Sequence, residues 1–240
     1  MPGIILRPPE SIYQTDGEIE NGTFHGRWHF SFDEYNDPAH MHFGTLRVFN
    51  DDTLSPGAVW PLHSHREIEV VTYCAEGEFR HADQRGKGGI LRKGWVQHTT
   101  VGRGMMHSEI NNSKTMPMRF IQMWFLPSVK GLEPSVQQRK VEITEKTDLL
   151  LPLVSMRHST ALFMHSDAEV HSCFLRGKSS VMHHIKKGRG GYLYVLEGEG
   201  VEVNGHTVPA LGAAQATGEL TLSMTGIGDS ELLLIDVLLV

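Results

Sequence analysis

The stretch PLHSHREIEVVTYCAEGEFRHAD, from Pro61 to Asp83, decides the fold of this 240-residue chain. It opens with His63 and His65, whose i, i+2 spacing places both imidazoles on one face of a strand. The segment from Glu67 to Ala75 is rich in β-branched and aromatic residues, which strands favour. A turn-like Glu76-Gly77-Glu78 follows it. The stretch therefore predicts β-structure that carries two metal-ligand side chains on one face.

A second i, i+2 pair, His107 and Glu109, comes 42 residues after His65. If two such strands face each other inside one small barrel, three imidazoles and one carboxylate converge on a point. Four protein ligands leave one or two positions of an octahedral shell for water or substrate. The pattern therefore indicates a catalytic type of metal site, formed by His63, His65, His107 and Glu109, and not a closed structural one.

Histidine is abundant in this chain, with 15 residues among 240, so a single H-x-H motif says little by itself. His40-Met41-His42 is a second example. It follows the turn signal Asp37-Pro38, and no second ligand pair comes after it at strand spacing. We therefore predict that these histidines lie in a loop or at the surface, whereas the first motif is supported by its second ligand pair.

The spacing around the first histidine pair closely follows the first cupin motif. Gly57, His63-x-His65, Glu69 and Gly77 match it, with one residue more than the strict form before the last glycine. Cupins are small β-barrels, so the resemblance implies that the histidines lie inside such a barrel.

Several blocks of this chain resemble the pirin family of cupins. Residues 61–83 resemble the pirin version of the motif, and GKGGILRKGWVQHTTVGRGMMHSE, residues 86–109, resembles the stretch that supplies the third and fourth ligands of pirins. RVFNDD at residues 47–52 fits as well. The resemblance covers residues 43–125 and implies an all-β fold made of two tandem cupin barrels, each a double-stranded β-helix or jelly roll.

The chain departs from the usual pirin pattern at two places. It has Lys93-Gly94-Trp95 where pirins usually show Pro-Gly-Asp, and His98 where many have a tryptophan after the glutamine. All four ligand positions are kept. We expect these changes to affect a turn and the wall near the site.

An internal duplication is visible in the sequence. YCAEGE, residues 73–78, recurs as YVLEGE, residues 194–199, at an offset of 121 residues. The repeat predicts two copies of one barrel: an N-terminal metal-binding cupin at residues 1–126, a linker rich in Pro, Ser, Gln and charge at 127–139, and a degenerate C-terminal cupin at 140–240.

The same offset predicts that the second copy has lost its metal site. His63 falls on His184, but His65 falls on Lys186, and the second ligand pair falls near residues 225–230, which contain neither histidine nor glutamate. The residue before His184 is a histidine too, and on a strand the two would point to opposite faces. We therefore expect the second copy to bind no metal.

The charge pattern argues against direct binding to nucleic acid. The net charge is −6, and acidic and basic residues are interspersed. The exception is a basic cluster, which we predict to be a solvated hairpin face, with contact to an anionic partner as the alternative. Its members are Arg80, Arg85, Lys87, Arg92 and Lys93.

Other features predict a cytosolic protein that does not contact membranes. No segment approaches the roughly 20 apolar residues of a membrane span, and the first residues are too short an apolar run for a signal peptide. Cys74 and Cys173 lie in apolar runs and are predicted to be small buried residues. The tail ELLLIDVLLV predicts a last buried strand or a subunit edge. We expect a monomer.

The predicted ligands suit several metals. Three neutral imidazoles and a carboxylate suit Fe(II), Mn, Co, Ni or Cu, and no thiolate is present to select zinc or Cu(I). Ligand identity leaves this choice open. We expect one divalent ion, with Fe(II) first and Ni, Mn, Co or Cu as alternatives.

The resemblance to pirins and quercetinases implies a dioxygenase of flavonol-like, quercetin-type aromatic hydroxy-ketones, an oxidoreductase whose substrates are a small aromatic molecule and O2. Glu109 would then be both a ligand and the catalytic proton acceptor. Two alternatives stay open: a metal- or redox-sensing regulatory protein that binds a protein partner without turnover, and a non-oxidative isomerase in which the metal only polarises a carbonyl. O2 uptake, metal-dependent partner binding and anaerobic turnover would separate the three.

Overall fold

The computed structural model describes residues 3–83 and 88–239, and these are built almost entirely from β-strands. Helices in this part of the chain are single 3-10 turns, at Pro9–Ser11, Pro38–His40 and Ile143–Glu145. No helix in the described ranges has the length and apolar character that a membrane crossing needs.

The strands of the first half, in chain order, are β1 (Gly3–Arg7), β2 (Tyr13–Ile19), β3 (Gly22–Trp28), β4 (Leu46–Leu54), β5 (Val59–His65), β6 (Glu69–Glu76), β7 (Glu78–Asp83), β8 (Gly88–Arg92), β9 (Val96–Thr100), β10 (Met105–Asn111) and β11 (Met118–Phe125). Those of the second half are β12 (Ser135–Arg139), β13 (Leu151–Ser155), β14 (Leu162–Phe163), β15 (Ala168–Leu175), β16 (Ser180–Ile185), β17 (Arg189–Gly198), β18 (Val201–Val203), β19 (His206–Val208), β20 (Ala213–Thr217), β21 (Leu220–Gly226) and β22 (Ser230–Leu238).

The strands form two barrels of the same design. The first barrel has a seven-stranded sheet in the order β12-β9-β6-β11-β4-β3-β2 and a four-stranded sheet in the order β5-β10-β7-β8. The second barrel repeats both, as β1-β20-β17-β22-β15-β13-β14 and β16-β21-β18-β19. The predicted all-β fold of two tandem cupin barrels is confirmed, and the 121-residue repeat corresponds to strands β6 and β17.

The predicted strand after the histidine pair forms two residues later than expected. Glu67 has a positive φ of 55°, which breaks the extended backbone, and β6 begins at Glu69. Gly77 ends the hairpin turn with a φ of 75°, and a Cβ there would lie 2.5 Å from the carbonyl oxygen of Pro117. Glycine is therefore required at this turn for both backbone and space.

Two edge strands cross the predicted domain boundaries. β1, from the predicted first domain, pairs with β20 of the second barrel. β12, from the predicted linker, pairs with β9 of the first barrel. Each barrel thus contains one edge strand from the other part of the chain. This is possible because the free N–H and C=O groups of a sheet edge can form hydrogen bonds with any backbone that lies alongside.

The large sheets of the two barrels pack against each other around one shared hydrophobic core. Val71 and Tyr73 of β6 lie in the same buried cluster as Tyr194 of β17 and Leu233 of β22. Separate clusters fill the barrel interiors, one around Phe79 and Phe120 and one formed by the inner face of the second barrel.

Three smaller predictions can be compared with the structure. β22, formed by the apolar tail, is buried and pairs on both sides, with β17 and β15, so it is not an edge. Cys74 and Cys173 are buried and unpaired. The basic cluster lies on the β7–β8 hairpin, where Arg80 and Arg92 are exposed, whereas Arg85 and Lys87 fall outside the described residues.

Candidate metal centre

Two neighbouring strands of the first barrel carry the predicted histidines. β5 and β10 pair antiparallel, with His107 opposite His63 and Met105 opposite His65. The Nε2 atoms of His63 and His107 lie 3.1 Å apart. One nitrogen from each of His63, His65 and His107 lies within 4.8 Å of the other two. The structure thus brings the three imidazoles together, from hydrogen-bonded neighbours in one sheet and not from strands that face each other across the barrel.

Hydrogen bonds fix the orientation of two of these rings. His63 donates from Nδ1 to the carbonyl oxygen of Pro61, at 2.8 Å, which leaves its Nε2 directed at His107. The Nδ1 of His107 is joined to Nε2 of His81 on β7, at 2.9 Å. Such contacts on the second ring nitrogen are how proteins set the tautomer of a metal-binding histidine.

Burial keeps the imidazoles of His65 and His107 neutral. Burial lowers the pKa of His65 to about 4, with the neighbouring His63 as a second cause. Burial also lowers the pKa of His81 to about 4 and that of His107 further still, since other histidines surround it. A metal binds the neutral form of imidazole, so these residues are in the required state at pH 7.

Glu109 lies in the same cavity but outside the histidine cluster. Its Oε1 accepts a hydrogen bond from Nε2 of Gln122, whose own Oε1 accepts from the indole N–H of Trp124 at 2.8 Å. Burial raises the pKa of Glu109 to about 8, the charge of Asp52 adds to this, and the bond from Gln122 opposes it. The four predicted ligands are therefore neighbours, although the donor atoms that converge belong to the three histidines.

The residues present fit a transition metal. His65 Nε2 is buried and has no hydrogen-bond partner among the described residues, and such a group is costly unless something binds it. The 3.1 Å between His63 and His107 is close to the roughly 3 Å expected for adjacent ligands whose bonds to the metal are about 2.1 Å long.

An aromatic cavity opens in front of the histidines. Its volume is about 440 Å³, and His63, His65, Glu109 and Gln122 lie in its wall. Four aromatic side chains, Trp28, Phe32, Trp60 and Trp124, line it as well. The rest of the wall includes the acidic residues Glu18, Glu20, Asp33 and Asp52. Pockets of this size that combine aromatic rings with polar groups are typical of small-molecule sites.

The sequence reasoning missed His81, Gln122 and Asp52. A signal existed for Gln122, which is a single uncharged polar residue in the otherwise apolar centre of β11 (MRFIQMWF), and buried polar residues usually have a specific partner. His81 stands two residues after the buried Phe79 on β7, so the two side chains share the inner face of the strand. Its contact with His107 depends on the pairing of two strands and has no local signal.

Two residues of the departures from the pirin pattern lie away from the site. His98 is buried on β9 opposite Val71, on the face that packs against the second barrel, and its Nε2 lies 3.0 Å from Glu69 Oε2. Lys93 lies in the expected turn and pairs with Glu197 of the second barrel at 2.7 Å. The expectation of a changed wall is therefore wrong for His98 and Lys93, whereas Trp95 packs against the same interior cluster as Trp60, which lines the cavity.

The other histidines singled out in the sequence lie elsewhere. His40 belongs to a 3-10 turn and its Nδ1 contacts Asp37 at 2.7 Å, while Nδ1 of His42 bonds the carbonyl of Gly44. On β16, His183 is partly buried and contacts Asp236, and His184 is exposed. These two adjacent histidines point in opposite directions, as their spacing indicates.

Strand pairing corrects the positions of the second barrel that correspond to the ligands. A register shift in the β5–β10 pair adds one residue to β5 between the partners of Glu109 and His107, so the offset of 121 residues, which holds for β6 and β17, does not hold at the ligand positions. The pairing of β16 with β21 places His183, Ile185, Leu222 and Met224 where the first barrel has His63, His65, His107 and Glu109. Three of these four are apolar and fill the second barrel's core.

Comparisons with known proteins agree in both halves of the chain. Two family models match, Pirin over residues 13–125 and the quercetinase C-terminal cupin domain over residues 153–237. A pirin-like protein of Caulobacter vibrioides is 32% identical over 222 residues, which cover 92% of this chain and 95% of the relative. The quercetin 2,3-dioxygenase of Escherichia coli K12 is 32% identical over 210 residues, which cover 87% of this chain and 90% of the relative.

A solved structure extends the similarity to three dimensions. The bacterial pirin YhhW from Escherichia coli, in complex with nickel(II), matches with a TM-score of 0.90 and 29% identity over 99% of this chain and 100% of that chain. Sequence, family models and fold thus agree over both barrels, and this chain belongs to the pirin family.

Proposed function

We propose that this protein is a metal-dependent dioxygenase of flavonol-like aromatic hydroxy-ketones, with its site in the first barrel. The observation that carries the proposal is the convergence of three imidazoles at an aromatic cavity of about 440 Å³. The Escherichia coli relative named quercetin 2,3-dioxygenase supports the substrate class. The nickel(II) complex of the bacterial pirin YhhW supports a transition metal as the cofactor.

One divalent ion would be held by His63, His65 and His107, with Glu109 as the fourth ligand. Fe(II) remains the first choice and nickel, manganese, cobalt and copper the alternatives, since imidazole and carboxylate ligands accept all of them. When bound, the metal would lower the pKa of a coordinated enolic hydroxyl and pass electron density towards O2.

The aromatic wall would hold and orient the substrate. Trp60 and Trp124 line the cavity beside the histidines, and the ring of Trp124 lies 4.6 Å from that of His65. Phe32 meets Trp124 edge to face at 5.4 Å, which fixes the indole plane. A flat aromatic ligand can stack in this slot, and its contact with apolar rings keeps water away from the reacting atoms.

Glu109 would take the proton of the substrate hydroxyl. In the metal-free site the pKa of about 8 keeps this carboxyl largely protonated near pH 7, so Glu109 would accept the substrate's proton once a bound cation has ionised it. The bond from Gln122 holds Oε1 in place, so the carboxylate presents a fixed acceptor to the cavity.

The test is oxygen uptake with flavonols and related hydroxy-ketones after loading the protein with each of the five metals in turn. We expect uptake of one O2 per turnover and a shift in the metal's absorption band on substrate binding. Glu109→Gln should lower kcat by about 10²-fold or more, with a smaller effect on substrate binding. His63→Ala should lose one equivalent of metal, whereas His206→Ala, an exposed histidine of the second barrel, should behave as wild type.

If flavonols neither perturb the metal spectrum nor drive oxygen uptake with any of these metals, the dioxygenase proposal fails. Metal-dependent binding of a protein partner without turnover would then identify the chain as a regulatory pirin.

A further inference from the structure

The second barrel has its own cavity, at the place that corresponds to the aromatic cavity of the first. Its volume is about 560 Å³. His171 of β15 lines it, and Asn50 of β4 lines the first cavity. These two residues are 121 apart, as Tyr73 and Tyr194 are, and their strands occupy the same place in the two large sheets. The cavity therefore survives in the second copy, although three of the four residues that correspond to the first site's ligands are apolar.

Histidine and carboxylate side chains lie on a different wall of this cavity, on the large sheet, whereas the first site's histidines lie on the small sheet of its barrel. Glu169 and His171 stand at spacing i, i+2 on β15, and His158 reaches them from the segment between β13 and β14. Oε2 of Glu169 lies 3.1 Å from Nε2 of His158 and 3.6 Å from Nε2 of His171. One donor atom from each of the three lies within 4.8 Å of the other two. These separations match three ligands that share one ion with bonds of about 2.0–2.2 Å.

His171 is the most deeply buried residue of this cluster. It is only 4% exposed, its Nε2 faces Glu169, and its Nδ1 has no hydrogen-bond partner within the described ranges that satisfies normal geometry. Burial lowers the pKa of His171 to about 3, so the ring is neutral and one of its two nitrogens carries a lone pair that a metal can bind. His158, in contrast, is 48% exposed in its side chain and gives access from solvent.

The charges around the cluster favour a cation over an anion. Arg189 pairs with both Asp167 and Asp236 at 2.5 Å, and Arg157 pairs with Asp167 at 2.6 Å and with Glu169 at 3.4 Å. Both guanidinium groups are thus engaged by carboxylates and are not free to bind an anionic ligand.

We propose that His158, Glu169 and His171 form a second metal site, separate from that of the first barrel, which binds Zn²⁺. Two histidines and one glutamate are a donor set that zinc uses with its fourth position open. That position would face the cavity. The expectation that the second copy binds no metal considered only the residues that correspond to the first site, and none of the three is among them.

The test is zinc stoichiometry on the untagged, full-length protein. After removal of metal with a chelator, equilibrium dialysis against Zn²⁺ and elemental analysis should give two ions per chain. His158→Ala should weaken one of them by at least tenfold, since loss of a supporting contact alone already costs 10- to 100-fold. Glu169→Gln, which keeps the size of the side chain, should do the same. Anomalous scattering at the zinc edge should place this ion between the three side chains.

His184→Ala is the matched control, because His184 lines the same cavity and has a similar exposed fraction, 52% against 48% for His158, but lies outside the cluster. It should retain both ions. His63→Ala should lose the other ion and keep the one in the second barrel. A wild type that binds only the ion lost in His63→Ala, or a second ion that survives His158→Ala and Glu169→Gln, would overturn the proposal.

Discussion

His81 shows how a residue outside the ligand set can decide the state of one inside it. Its Nε2 lies 2.9 Å from Nδ1 of His107, a distance that fixes both the ring plane and the tautomer of His107. His81 is buried, so no water competes for this bond. Removing it would let the ring of His107 rotate away from His63.

We therefore predict that His81→Phe, which keeps an aromatic ring but loses the nitrogen, weakens metal binding at the first site by about 10- to 100-fold. Competition against a chelator of known affinity measures the change. His25→Phe, on strand β3 and away from the site, is the matched control and should leave affinity unchanged. Equal affinities for His81→Phe and wild type would show that the contact does not orient His107.

Asp52 is a second buried residue whose ionisation the site controls. Burial and the neighbouring Asp51 raise its pKa to about 7, against the hydrogen bond from the Trp28 indole, which is 3.0 Å long and lowers it. In the unfolded chain the same carboxyl ionises near its ordinary value of 3.8. Because the folded-state pKa is the higher one, the folded protein is favoured by protonated Asp52. This contribution is complete below about pH 4 and is lost as the pH rises through 7.

Asp52→Asn should therefore flatten the pH dependence of unfolding in the metal-free protein. We expect the free energy of unfolding of the wild type to fall between pH 4 and 8 by on the order of 3 kcal/mol more than that of the variant. Asparagine keeps an oxygen for Trp28. Urea titrations at several pH values give the comparison, with the exposed Asp16→Asn as control. Parallel curves for wild type and Asp52→Asn would rule out the raised pKa.

At the scale of single elements, the local sequence pattern predicted which face of a strand a residue occupies, whereas the register between strands depended on which strands pair. The i, i+2 spacing of His63 and His65 predicted that both lie on one face of a strand, and both lie in strand β5. The shift of register between β5 and β10 could not be read from sequence, since a bulge depends on which strand lies alongside. The His158, Glu169 and His171 cluster was missed for the same reason, because its parts are brought together only by the fold.

The exchange of edge strands is an element-scale feature that stability measurements can test. In β1, Ile4 packs against the core of the second barrel, whereas Ile5 is 63% exposed. Ile4→Ala should lower the free energy of unfolding by about 1–2 kcal/mol, less than for a fully buried isoleucine because Ile4 lies at an edge. Ile5→Ala, one residue away and on the other face, should change it by less than about 0.5 kcal/mol. Equal effects in urea unfolding would mean that β1 does not pack on the second barrel.

At the scale of the whole molecule, the two barrels are joined by polar contacts as well as by their shared core. Tyr73 of the first barrel donates to Glu231 of the second, and Lys146 binds Glu231 at 2.6 Å and the Tyr73 hydroxyl at 2.5 Å. Lys146 and Glu231 are almost fully buried, 2% and 1% exposed. A buried ion pair of this kind is costly to break from one side, because the remaining charge stays unpaired.

We predict that the two barrels unfold in one transition, and that Lys146→Met shifts it for both. All four tryptophans, Trp28, Trp60, Trp95 and Trp124, belong to the first barrel, so their fluorescence reports that barrel, whereas far-UV circular dichroism reports both. The two signals should coincide in urea, and Lys146→Met should lower the free energy of unfolding by about 3–5 kcal/mol in each. Lys178→Met, an exposed lysine on a turn of the second barrel, should leave both curves in place. If Lys146→Met moves the circular dichroism curve and leaves the fluorescence curve unchanged, the barrels are independent units and the shared core does not couple them.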